Sequence, residues 1–74
     1  MTEETTESIQ IVVNGEFRKV PANLTLSEVL TFLEVDSRRI AVELNRSIVN
    51  RASWGKTIID PGAALEIVQF VGGG

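Results

Sequence analysis

The sequence runs out as Phe70-Val71-Gly72-Gly73-Gly74, and the carboxylate of Gly74 is the group in the chain best placed to do chemistry. Glycine has no Cβ and no rotamers to order, so a run of glycines can lie extended in a channel too narrow for any other residue. At roughly 3.3–3.6 Å per residue, Gly72, Gly73 and Gly74 reach on the order of 10 Å beyond a strand ending at Val71, far enough to carry a carboxylate into a partner's buried site. The bland alternative is a loose chain end that merely trails, as termini commonly do.

The other reactive residue types are missing or scattered. The chain has no cysteine and no histidine, which removes thiolate nucleophiles, disulfide staples, Cys/His zinc sites and the commonest general base. No serine has a plausible base beside it, and the acidic residues fall on predicted turns and faces, where solvated charge is their ordinary role. Glycine-rich phosphate loops open a helix, whereas the run ending at Gly74 is followed by nothing. The sequence therefore predicts no catalytic residue, no metal site and no cofactor held by this chain.

With 74 residues the chain is one small domain, and a domain near this size buries only about 60% of the surface its unfolded chain exposes. A net charge of -3 and an isoelectric point near 4.8 disfavour nucleic acid and anionic membrane surfaces as partners and mildly favour a basic patch. No apolar run approaches the roughly 20 residues of a membrane helix. The N-terminus lacks the basic-then-apolar order of a secretory signal, so the expected location is cytoplasmic.

The elements that must position the tail can be read in order. Residues 1–8 are rich in Thr and Glu with no apolar residue after Met1, which predicts a disordered acidic extension. Ile9 to Val13 and Phe17 to Val20 read as strands joined by Asn14-Gly15, the residue pair of a type I′ hairpin. Thr25 stands three residues before Glu28, a capping-box spacing, and Leu26, Val29, Leu30 and Leu33 make one helical stripe. Ser27, Glu28, Thr31 and Glu34 take the other side of that helix, and Phe32, off the stripe, is expected to cover a core edge. Ile40, Val42 and Leu44 alternate with polar or small residues in a third strand. Asn45-Arg46-Ser47 then turns into a short extended Ile48-Val49 piece. Arg51 to Lys56 has no period and reads as an irregular or single-turn segment anchored by Trp54. Asp60-Pro61-Gly62 supplies a tight turn. Leu65 to Val71 is apolar at both parities apart from Glu66 and Gln69, which predicts a central strand, covered on both faces or flanked by other strands.

This order of hairpin, helix, strand, irregular segment and final strand resembles the ubiquitin-like β-grasp fold, an α+β architecture with a mixed sheet packed against one main helix. The expected domain is 9–71, with 72–74 as a flexible glycine tail. Val13-Asn14-Gly15, Ile40-Ala41-Val42-Glu43-Leu44-Asn45, Arg51-Ala52-Ser53-Trp54 and the ending Glu66-Ile67-Val68-Gln69-Phe70-Val71-Gly72-Gly73-Gly74 are similar to the ThiS family, the sulfur carriers of thiamine biosynthesis. The family commonly has Asp directly after the glycine of the last turn. Here Gly62 is followed by Ala63-Ala64, a departure that bears on a local turn contact and not on the tail.

The resemblance implies a substrate-like carrier and not an enzyme. An adenylating enzyme related to the ubiquitin-activating kind would use ATP and Mg to activate the Gly74 carboxylate. A sulfur-donor protein would then supply a cysteine-derived persulfide, giving a thiocarboxylate at Gly74 for thiazole synthase. A molybdopterin-type sulfur carrier shares the fold and the ending, although its family has a proline-rich approach to the glycines where this chain has Gln69-Phe70-Val71. A ubiquitin-like protein modifier or interaction module is the other alternative. Docking on the activating enzyme needs a surface beside the tail. Val68 and Phe70, which share a parity, are expected with Val71 to form that partner interface, the alternative being that Val68 and Phe70 are core.

Overall fold

The structure is a computed structural model that describes residues 7–70. The extension before Glu7 and the ending Val71, Gly72, Gly73 and Gly74 lie outside the described residues.

Strand β1 (Ser8–Val13) and strand β2 (Glu16–Pro21) form an antiparallel hairpin in which Ser8 pairs with Pro21 and Val13 with Glu16. Asn14 and Gly15 sit at φ 50° and 85°, the left-handed pair that a type I′ turn demands. The sheet starts at Ser8, one residue before the apolar run at Ile9, because a backbone ladder needs no apolar side chain to extend it.

Helix α1 (Leu26–Phe32) opens on a complete capping box. The Thr25 N–H donates to Glu28 Oε1 at 2.8 Å, and the Glu28 N–H donates back to Thr25 Oγ1 at 3.2 Å. Leu26, Val29 and Leu30 are buried and Leu33 packs against them, so the apolar stripe lies on the sheet as its spacing demands. The helix stops sooner than its pattern suggests. Leu33 caps it and Glu34 turns to φ 62°, with Glu34 N–H bonded to Thr31 O and Val35 N–H to Leu30 O, each at 3.0 Å. That is a Schellman close with a glutamate in the position glycine usually takes, so Glu34 lies past the helix and not on its outer face. Phe32 is another correction: it stays half-exposed beside Pro21 and Leu24.

A 3-10 turn (Ser37–Arg39) leads into strand β3 (Ile40–Leu44), which turns through Asn45 and Arg46, both at positive φ, into the two-residue strand β4 (Ser47–Ile48). A second 3-10 segment (Arg51–Lys56) buries Trp54, whose indole Nε1–H donates to Val49 O at 3.0 Å. Arg51 lies over its ring, 4.4 Å from the centroid. The chain then laces onto the start of the helix through Leu26 N–H to Thr57 O and Ile59 N–H to Leu24 O.

Strand β5 (Ala64–Gln69) completes a mixed five-stranded sheet of order β2-β1-β5-β3-β4, parallel to β1 and antiparallel to β3. It is central, as its apolar content requires, yet among the described residues it is covered on one face only. Leu65 is buried and Ile67 half-buried against the core, while Ala64, Glu66 and Val68 face outward. Apolar residues at both parities here reflect a strand flanked on both edges with an apolar outer face, and not one covered on both faces. Ahead of β5, Gly62 at φ 82° forms the turn with Ala63 N–H bonded to Asp60 O, and Gly62 N–H reaches Gln10 O at 2.8 Å. Backbone groups thus close this turn without an acidic side chain after the glycine.

Candidate functional site

The strand that carries the glycine tail is held by three sets of bonds. Alternate residues of β5 aim their backbone groups at opposite neighbours. Phe70 N–H donates to Arg39 O at 2.8 Å, which keeps Phe70 in register with β3 at the last described position. On the other edge, β1 pairs with β5 only at Ala64 and Leu65 before it turns away into its hairpin.

Two asparagine amides supply what the strands do not. Asn14 donates its N–H to Leu65 O at 2.8 Å, its Oδ1 accepts Ile67 N–H at 2.7 Å, and its Nδ2 donates to Ile67 O at 3.3 Å. The side chain therefore stands in for the next peptide unit of β1. Asn45, in the β3–β4 turn, mirrors it from the opposite edge: its N–H donates to Ala64 O at 2.8 Å and its Oδ1 accepts Ala64 N–H at 3.0 Å. Both residues have φ 50°, and both were legible only as turn formers; the second use of each amide depends on strand pairing across long sequence separations.

Around the end of β5 the outer sheet face is apolar, and among the described residues nothing covers it. Val68 is 55% exposed and Phe70 56% exposed, so of the two readings left open by their shared parity, the exposed one describes them. Register places Ala41 opposite Val68, Glu43 opposite Glu66, and Ile48 opposite Glu43 on the same face. Phe17, 73% exposed, lies opposite Val12 at the far side of this face. The surface is thus an apolar field from Phe17 and Val12 to Val68 and Ile48 with two carboxylates at its middle. Val71, expected to join Val68 and Phe70, lies outside the described residues together with Gly72, Gly73 and Gly74.

Asp36, Arg38, Arg39 and Gln69 line a polar cleft of about 410 Å³. Asp36 caps the 3-10 turn by accepting Arg38 N–H at 3.1 Å and forms a two-point pair with the guanidinium, Nε at 3.0 Å and Nη2 at 2.8 Å. The side-chain hydrogen bonds from Arg38, followed by its backbone N–H, hold the Asp36 carboxyl at about 2, well below its usual 3.8. A second concavity, also about 410 Å³, is apolar and lies on the helix side between Pro21, Leu24 and Phe32, away from the tail-bearing strand. Among the described residues no group of three or more Asp, Glu, His or Cys could hold a metal ion, and no helix is long and apolar enough to cross a membrane.

The whole of this architecture has counterparts. Residues 8–74 match the sequence profile of the ThiS family. A crystal structure of the thiamine biosynthesis protein ThiS from Geobacter metallireducens superposes with a TM-score of 0.78 at 32% identity, over 89% of this chain and 100% of that one. The sulfur carrier protein ThiS of Escherichia coli is 29% identical over 89% of this chain and 100% of its own length. A thiazole synthase of Paramagnetospirillum magneticum is 44% identical over 89% of this chain, which spans only 20% of that longer protein.

Proposed function

We propose, from the premise that this chain belongs to the ThiS family, that it is the sulfur carrier for thiazole formation in thiamine biosynthesis and works through the carboxylate of Gly74. The observation that carries the reading is that a ThiS-family domain leads its central strand, through an exposed Val68 and Phe70, directly into a glycine ending. The family match also favours this pathway over a molybdopterin-type carrier. The chain acts as substrate to enzymes and is not itself a catalyst.

A carboxylate is a poor electrophile, so the first step must give it a leaving group. An adenylating enzyme would direct a Gly74 carboxylate oxygen onto the α-phosphorus of ATP, with Mg²⁺ on the phosphates and pyrophosphate released. The terminal sulfur of a persulfide, borne by a sulfur-donor protein, then attacks the acyl carbon and AMP departs. A thiol cleaves the resulting acyl disulfide, leaving the thiocarboxylate on Gly74 and a new disulfide on the donor side. Thiazole synthase would take sulfur from that thiocarboxylate. A thiazole synthase that contains a stretch 44% identical to this chain within 20% of its length supports that partnership, because a carrier-like segment and the synthase occur there in one polypeptide.

This chain supplies recognition and delivery. The outer face around Val68, Ala41 and Phe70 is the docking surface, and the Glu43–Glu66 pair within it suits a partner that offers a basic group to an otherwise apolar contact. The test uses the tail. Deleting Gly74 withdraws the carboxylate by about 3.3–3.6 Å, several times the misplacement of roughly 1 Å that slows a reaction about 10²-fold. ATP–pyrophosphate exchange catalysed by the cognate enzyme should then fall at least that far while circular dichroism stays native. Gly73→Ala, which puts a Cβ in the channel, should also slow exchange without abolishing binding. Exchange at the wild-type rate with the shortened chain would rule out Gly74 as the reacting residue.

A further inference from the structure

The two asparagine clamps on β5 differ in place and in number of side-chain bonds, two from Asn14 to Ile67 and one from Ala64 to Asn45. Asn45 holds Ala64, where the strand begins, and Asn14 holds Ile67, three residues before Phe70. Beyond Ile67 no bond from the β1 edge reaches the strand among the described residues, so Gln69 and Phe70 are secured from the β3 edge alone. Among the described residues the Asn14 amide is therefore the last restraint on the β1 side of β5.

We propose that Asn14 is a positioning residue for the chemistry at Gly74: its side-chain amide, acting as a surrogate peptide, fixes the direction in which β5 leaves the sheet. The inference rests on the carrier reading above. Its physical basis is separate. A strand paired on both edges is held in plane and in twist, whereas one paired on a single edge can rotate about that edge and fray. Val68 and Phe70, the docking residues, lie just past the clamp, so loosening Ile67 loosens both the docking surface and the tail's exit. The enzyme must then order them on binding, which weakens productive association more than it changes the chemical step. Asparagine suits the position because it tolerates the positive φ of the turn and carries both a donor and an acceptor matched to a peptide group.

Comparing two variants separates positioning from general stability. Asn14→Gly and Asn45→Gly each preserve a positive-φ turn residue, but the first deletes two side-chain bonds and the second one, so both should lower the melting temperature, Asn14→Gly the more. Amide exchange at Val68 and Phe70, which bond to β3 and not to Asn14, should quicken in Asn14→Gly and stay near wild type in Asn45→Gly. With the cognate adenylating enzyme, kcat/KM for activation should drop roughly tenfold in Asn14→Gly, the worth of one or two hydrogen bonds, mainly through KM. Asn45→Gly should stay close to wild type. Asn14→Asp, which keeps the acceptor for Ile67 N–H but loses the donor to Ile67 O, should fall between. Equal exchange at Phe70 and equal kcat/KM in the two glycine variants would overturn the proposal. If the wild-type chain is not activated at all, the carrier reading fails instead, and the exchange comparison still decides whether Asn14 holds the strand.

Discussion

Phe70 presents its ring to water at the last described position, where its backbone is still tied to the sheet. An exposed aromatic beside a functional terminus gives binding energy without contributing much to the core. Phe70→Ala should accordingly weaken binding to the activating enzyme by tenfold or more, read by titration, while stability moves by no more than about 0.5 kcal/mol. A variant that unfolds, or binds as tightly as wild type, would remove Phe70 from the interface. Asp36 gives a second prediction of this scale. Its carboxyl is held at about 2 in the fold against an ordinary 3.8, so whatever it contributes is present above 3.8 and lost as pH falls towards 2. Carbon-detected NMR titration should find that low midpoint, and Arg38→Ala should return it towards the ordinary value. Exposure keeps the effect on stability small. Among single residues, the parity shared by Val68 and Phe70 was readable, although only the structure separates an exposed pair from a buried one. The bonds from Asn14 to Ile67 were not readable, because they join residues far apart in sequence and depend on how β1 lies against β5.

The elements were legible where local chemistry dictates them. Asn14-Gly15 forces its hairpin, the Thr25–Glu28 box starts its helix, and the Leu26, Val29, Leu30 stripe chooses the buried side. A helix of seven residues has little stability alone, so it depends on that packing. Leu30→Ala should cost about 2–5 kcal/mol in chemical denaturation; an unchanged midpoint would mean the stripe is not the helix's anchor. The end of the helix was illegible for a physical reason. Glu34 occupies the left-handed closing position in which glycine would have announced a stop. That position carries strain which glycine does not share, so Glu34→Gly should stabilise the domain by up to about 1 kcal/mol. A loss of stability on that change would show that the glutamate side chain makes a compensating contact. The start of β1 at Ser8 was equally hidden, since a polar residue can join a ladder without altering the apolar pattern.

At the scale of the molecule, the sheet puts the tail-bearing strand in the middle, with α1 on one face and nothing among the described residues on the other. That arrangement couples a rigid platform to the glycine ending and leaves an apolar face free beside it. The central place of β5 could be inferred from its apolar content; its one-sided covering could not, because an apolar outer face looks in sequence like a buried one. What the glycines do chemically rests on the family and on the proposal built from it. The most direct test is the intact mass of the chain after incubation with its adenylating enzyme, ATP, Mg²⁺ and a persulfide donor. The carrier account predicts a gain equal to the difference between one sulfur and one oxygen atom, which fragmentation assigns to Gly74. No gain under conditions where the enzyme is active on ATP, or a gain assigned to any internal residue, would contradict it.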